Sequence, residues 1–116
     1  MTETLTPGRA LYERQIQFLV DKDIDGLIDT NYTSDAELIS FQTVVKGRDA
    51  LKTYFHGYIE MLGDIVVEST DKFAETEDAI LFEATVRSRL GLARVYDAWV
   101  LRDGQITHHF AGVMGT

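Results

Sequence analysis

Apolar residues in this chain recur at helical spacing as far as Gly63 and mostly alternate at strand spacing after it, and that change of period constrains the fold more than any other feature. Leu11, Tyr12, Ile16, Leu19 and Val20 share one face of a first helix, with Glu13, Arg14 and Gln17 on the opposite side. Asp23 is placed to cap a second helix, Ile24 to Tyr32, whose Ile24, Leu27, Ile28 and Asn31 follow a similar period. Thr33-Ser34-Asp35 read as the turn that ends it. A short strand is expected at Glu37 to Phe41. A third helix begins near Arg48 and carries the stripe Leu51, Tyr54, Phe55, Tyr58 and Leu62. Gly63 stands where a left-handed C-terminal cap belongs.

Beyond Asp64 the pattern predicts strands over Ile65 to Phe73, Ala79 to Leu90, Leu92 or Ala93 to Arg102, and Gln105 to Val113. Asp103-Gly104 is a two-residue hairpin signal, because both central positions of a type I′ turn need positive φ. Helices first and an antiparallel meander afterwards give an α+β class. The chain has 116 residues, 45% of them hydrophobic, enough to bury one core, and Pro7 is its only proline. With no linker or repeat visible, residues 1–116 read as one domain whose residues 1–8 form a flexible start.

Charge narrows the partners. Eleven Lys and Arg against 19 Asp and Glu leave a net charge of -8, which repels phosphate backbones and anionic head groups. No nucleic acid and no membrane surface is expected as partner. The chain holds no cysteine and three histidines, so no thiolate metal site can form, and no metal or other cofactor is expected. No run approaches the roughly 18 apolar residues of a membrane span, and a cytoplasmic location follows as the expectation.

The phrases "DIDGLIDTNYTSDAELI", "GRDALKTYF" and "WVLRDGQI", in that order, resemble the nuclear-transport-factor-2-like superfamily, which includes SnoaL-like polyketide cyclases and ketosteroid isomerases. The resemblance covers nearly the whole chain. It implies a cone-shaped fold in which N-terminal helices pack in a strongly curved, mainly antiparallel sheet that encloses a pocket, with a homodimer through the outer sheet face. It carries little chemistry across, since one scaffold hosts many functions. The isomerase base would fall at Ser40, which cannot hold a proton as a carboxylate does. The first-helix tyrosine would fall near Ile16 or Gln17, and a SnoaL-type late acid near Met114. Only Asp97 matches, at the position of the acid that donates to the oxyanion.

Asp97 shares a strand face with Ala93, Val95, Trp99 and Leu101. Inside an apolar pocket desolvation would raise its pKa and let it donate near neutral pH. The structural alternative is an ion pair with Arg87, Arg89 or Arg94, or a hydrogen bond to Tyr12 or Tyr32. His108 and His109 are adjacent and point to opposite faces, so at most one serves the pocket. Regular pairing across Asp103-Gly104 sets Trp99 opposite His108, which makes His108 the expected catalytic partner of Asp97; a bulge would select His109 instead. Tyr12, Tyr32, Tyr54, Tyr58, Trp99 and His109 are the candidate ligand contacts, each with core packing as its alternative. His56 faces outward by spacing.

Two functions fit these residues. One is a cofactor-independent acid-base enzyme of isomerase, cyclase, dehydratase or hydratase type acting on a small apolar molecule, with Asp97 as acid or oxyanion donor. The other is a non-catalytic ligand-binding or dimeric association module. Ser40 and Ile16 favour the second, Asp97 with a nearby histidine the first.

Overall fold

A computed structural model describes residues 5–115. Helix α1, Pro7–Asp21, opens on a Thr6 side chain that accepts from the Arg9 amide at 3.2 Å, and Pro7 stands in the first turn, where a missing N–H costs nothing. The helix thus begins inside the stretch expected to be flexible; residues 1–4 of that stretch lie outside the described residues. Asp23 caps α2, Ile24–Asn31, by accepting from the Gly26 amide at 3.1 Å. Strand β1, Tyr32–Ile39, follows without a break, so Thr33-Ser34-Asp35 is strand and the expected turn is corrected. The junction holds because the Arg48 guanidinium donates twice to the Tyr32 carbonyl, at 2.8 and 3.2 Å, while Tyr32, Ala36 and Leu38 bury their side chains.

A three-residue strand that periodicity does not reveal, β2 (Val44–Lys46), pairs back onto β1 and leads into α3, Arg48–Leu62. Gly63 ends α3 with φ 70°, a conformation that favours glycine. Strands β3 (Val66–Glu75), β4 (Ala79–Ser88), β5 (Gly91–Arg102) and β6 (Gln105–Gly115) form the meander.

The six strands make one sheet in the order β2-β1-β6-β5-β4-β3, with β1 and β6 parallel and the other neighbours antiparallel. The order corrects the expected architecture. β2 and β3 are two separate edges that no pairing joins, so the sheet is open rather than a strongly curved wrap around the helices. Closure needs continuous pairing around a ring, and a three-residue edge strand offers too little ladder for it. What stands is an α+β domain with helices against one sheet face. Leu27, Ile28 and Leu51 from the helices and Ile80, Trp99 and Ile106 from the strands are all nearly or completely buried in that layer. No helix among the described residues is long and apolar enough to cross a membrane.

The hairpin of β5 and β6 sets the side chains that matter. Asp103 and Gly104 have φ 53° and 78°, as the turn requires, and Arg102 and Leu101 pair with Gln105 and Ile106. Val100 then pairs with His108, which leaves Thr107 as an extra residue in β6. The Thr107 hydroxyl donates to the Val100 carbonyl at 3.1 Å and braces the bulge. The residues of β6 from His108 to Val113 are moved one position, so Trp99 faces His109 and Asp97 faces Ala111. Further along, Tyr96 lies over Gly112, where any side chain would collide with its ring.

Candidate functional site

A cavity of about 380 Å³ lies between α1, α3 and the helix-covered face of the sheet, within the range of small-molecule sites. Its walls are mostly apolar, with Ile65, Val67, Phe82 and Trp99 among them. Six of the residues expected to contact a ligand or do chemistry line it: Tyr12, Tyr54, Tyr58, Asp97, Trp99 and His109. Tyr32 does not reach the wall and is fully buried behind His109.

His108 is the correction. The Thr107 bulge turns it to the far face, where Nδ1 meets the Thr107 hydroxyl at 3.0 Å and Nε2 lies 3.5 Å from Glu37, its side chain 44% exposed. His109 takes the inner place. Its Nε2 is 2.6 Å from Asp97 Oδ1, and its Nδ1 is 2.8 Å from the Tyr32 hydroxyl. The arginines weighed as partners of Asp97 go elsewhere: Arg87 to Glu68, Arg94 to Asp71 and Glu83, and Arg89 to the Glu60 carbonyl. Tyr12 bonds to Thr70 at 2.7 Å.

Asp97 Oδ2 is the unoccupied oxygen. It makes no hydrogen bond among the described residues, and it is not among their fully buried unpaired atoms. The side chain keeps 16% exposure, and the residue borders the cavity. Desolvation pushes the Asp97 carboxyl up from its ordinary value, partly offset by the His109 hydrogen bond. The phenols around it stay protonated. Burial raises Tyr12, Tyr32 and Tyr54, and Tyr58 is pushed up to about 12, each with the Asp97 charge adding to the effect. The site can therefore offer neutral O–H groups and one carboxyl that exchanges a proton more readily near neutral pH than a solvated one.

Three residues behind this dyad were not singled out by sequence reasoning. Gln15 Nε2 donates to the Tyr32 hydroxyl at 2.9 Å, Asn31 Nδ2 donates to Gln15 Oε1 at 2.9 Å, and Arg14 Nε donates to Asn31 Oδ1 at 3.2 Å. A signal was present. Gln15 and Asn31 are polar residues on the buried faces of amphipathic helices, and a buried amide needs partners. Trp99 Nε1 is a buried donor with no partner among the described residues, its ring T-shaped against Phe82 and His109. No group of three His, Cys, Asp or Glu suited to a metal occurs among the described residues. Ser40, the would-be base position, uses its hydroxyl to accept from the Gln42 and Thr43 amides in the β1–β2 turn.

An α+β domain with a mostly apolar cavity and one partly desolvated carboxyl defines a class of small-molecule-pocket scaffolds, and the comparisons name the family. The SnoaL-like domain model matches residues 12–109, and the chain belongs to that family. Several solved structures share the fold at low identity. An NTF2-like protein from Anabaena variabilis superposes with TM-score 0.77 at 18% identity over 100% of this chain and 96% of that one. TerC, co-crystallised with polyporic acid, gives 0.77 at 17% over 93% and 92%. A protein of ketosteroid isomerase-like fold from Catenulispora acidiphila, in complex with trimethylamine, gives 0.77 at 13% over 88% and 83%. No curated protein matches the chain.

Proposed function

We propose that this protein is a cofactor-independent acid-base enzyme acting on a small, largely apolar, uncharged molecule, with Asp97 as the group that exchanges a proton with it. One observation carries the reading: Asp97 holds Oδ1 on His109 and leaves Oδ2 unpaired beside an apolar cavity. A carboxyl so placed is oriented by its partner and raised by desolvation, the two conditions for proton transfer near neutral pH. The walls argue against an anion. None of the lining residues is Lys or Arg, so an anionic ligand would meet the Asp97 charge without compensation. Isomerisation, cyclisation, dehydration and hydration can each be promoted by proton transfer to or from the substrate, and the other bonds made and broken belong to the substrate and water. His109 takes the supporting role first assigned to His108, and Tyr54, Tyr58 and Trp99 supply walls and hydroxyls for the ligand. The neighbours that hold polyporic acid and trimethylamine support the use of this scaffold for small organic molecules.

A second reading, a dimeric binding or association module, is favoured by a different face. Leu81, Val100 and Phe110 on the uncovered side of the sheet are 54%, 41% and 41% exposed, an apolar area of the kind that a second copy covers. The two readings coexist if the dimer forms, and turnover separates them. A screen of small neutral carbonyl and hydroxyl compounds by thermal shift, followed by product analysis with wild type and Asp97→Asn, tests the enzyme. Binding with no Asp97-dependent conversion in any hit leaves the binding module as the function.

A further inference from the structure

Five hydrogen bonds join Arg14, Asn31, Gln15, Tyr32, His109 and Asp97 in one unbranched line from the helix surface to the cavity. Four of the six side chains, Gln15, Asn31, Tyr32 and His109, are buried, Asn31 and Tyr32 completely, so water has little access to the middle of the line. The direction of the line is determined from its ends. A guanidinium can only donate, so Asn31 must turn its oxygen to Arg14 and its NH2 to Gln15. Gln15 must then accept on Oε1 and present its own NH2 to Tyr32. The Tyr32 oxygen is thereby engaged as acceptor, and its single hydrogen goes to His109 Nδ1. A neutral imidazole that accepts at Nδ1 carries its hydrogen on Nε2, which donates to Asp97 Oδ1. From the other end a carboxylate can only accept, and it requires the same tautomer.

We propose that Tyr32, Gln15 and Asn31 are positioning residues that hold His109 as the Nε2-protonated imidazole, so that Oδ1 of Asp97 is always an acceptor and Oδ2 is its only proton-transfer atom. This deepens the enzymatic reading, yet it is a statement about the protein without ligand. A reversed line would have the opposite effect. With hydrogen on Nδ1 alone, Nε2 would demand a hydrogen from Oδ1, and the carboxyl proton would be held inward rather than offered to the cavity.

The test is long-range proton–nitrogen correlation NMR of the imidazoles in uniformly nitrogen-15-labelled full-length protein at neutral pH, with His109 assigned by its loss in His109→Gln. The expected wild-type pattern is a protonated Nε2 and a bare Nδ1 at His109. A hydrogen on Nδ1 in the wild type overturns the proposal with no variant needed. Asn31→Asp then reverses the line from its far end. The new carboxylate accepts from both Arg14 and Gln15, Gln15 turns its oxygen to Tyr32, and Tyr32 must accept from His109. Nδ1 should gain a hydrogen, although the substitution is isosteric and three links from the imidazole along the line. An unchanged tautomer in a folded Asn31→Asp protein overturns the positioning role. If that variant does not fold, Gln15→Glu makes the same reversal one link nearer and is judged by the same spectrum. Product analysis with the neutral screening hits, run beside it, keeps the outcomes apart: a wrong tautomer with intact Asp97-dependent conversion removes the line and leaves the proposed function, and the expected tautomer without conversion removes only the function.

Discussion

Asp97 and His109 meet at 2.6 Å across two neighbouring strands, and no arginine among the described residues pairs with the carboxylate. Asp97→Asn should therefore leave the protein at least as stable as wild type at pH 7. The folded state raises the Asp97 pKa above its ordinary 3.8, so the unfolded chain releases the proton first as pH rises. The native advantage of a protonated Asp97 is full below about pH 3.8 and declines as pH climbs through the raised folded value. Thermal denaturation over a pH series should show the variant gaining on wild type across that window. A variant less stable than wild type at pH 7 would mean that the carboxylate is a structural anchor.

Tyr32→Phe should be costly. It strips a donor from His109 Nδ1 and an acceptor from Gln15 Nε2, both buried, and a loss of about 2 kcal/mol or more is expected from groups left unpaired. Urea unfolding gives the value. A loss below about 0.5 kcal/mol would show that the network adds little to stability.

The cavity should discriminate by charge. Benzyl alcohol should raise the melting temperature of wild type more than benzoate at equal concentration, because the walls offer an anion no Lys or Arg. Equal or greater stabilisation by benzoate contradicts the assignment of an uncharged substrate.

Sedimentation at micromolar concentration should give twice the chain mass, since Leu81, Val100 and Phe110 leave apolar surface uncovered on one sheet face. Val100→Lys and Phe110→Lys together should yield a monomer that keeps its fold. A wild-type monomer at that concentration removes the interface.

No metal should be needed. His108 and His109 point to opposite faces of β6, and no group of three His, Cys, Asp or Glu among the described residues is placed to hold an ion. Stoichiometric zinc or iron in elemental analysis, after purification without added metal, would refute the prediction.

Much of the fold was legible because local signals and tertiary needs agree: Asp23 at the start of α2, Gly63 after α3, and Asp103-Gly104 between β5 and β6 all serve as their chemistry suggests. Elsewhere long-range pairing overruled local preference. Thr33-Ser34-Asp35 has turn-forming residues, yet they continue β1 as an irregular stretch held extended between the Tyr32–Ile106 and Glu37–His108 pairs with β6. The identity of the site histidine depended on a single extra residue. Thr107 is an ordinary strand residue, and nothing in its type announces a bulge, so periodicity chose His108 where the register chose His109. The openness of the sheet was equally hidden, because strand order is a property of pairs and not of any one segment.

The parallel seam between β1 and β6 also governs when the site can come into being. Without β6 the sheet is two fragments, β1 with β2 and the meander of β3, β4 and β5. Tyr32 and His109, 77 residues apart, are joined only across that seam, a contact of long loop closure that small domains make slowly. A chain that has built its helices and its meander lacks the dyad, and it lacks the part of the cavity wall that Ala111 and Val113 of β6 supply. Ligand capture that depends on Asp97 and His109 therefore counts finished molecules alone, and its appearance during refolding would time the insertion of the last strand into the middle of the sheet.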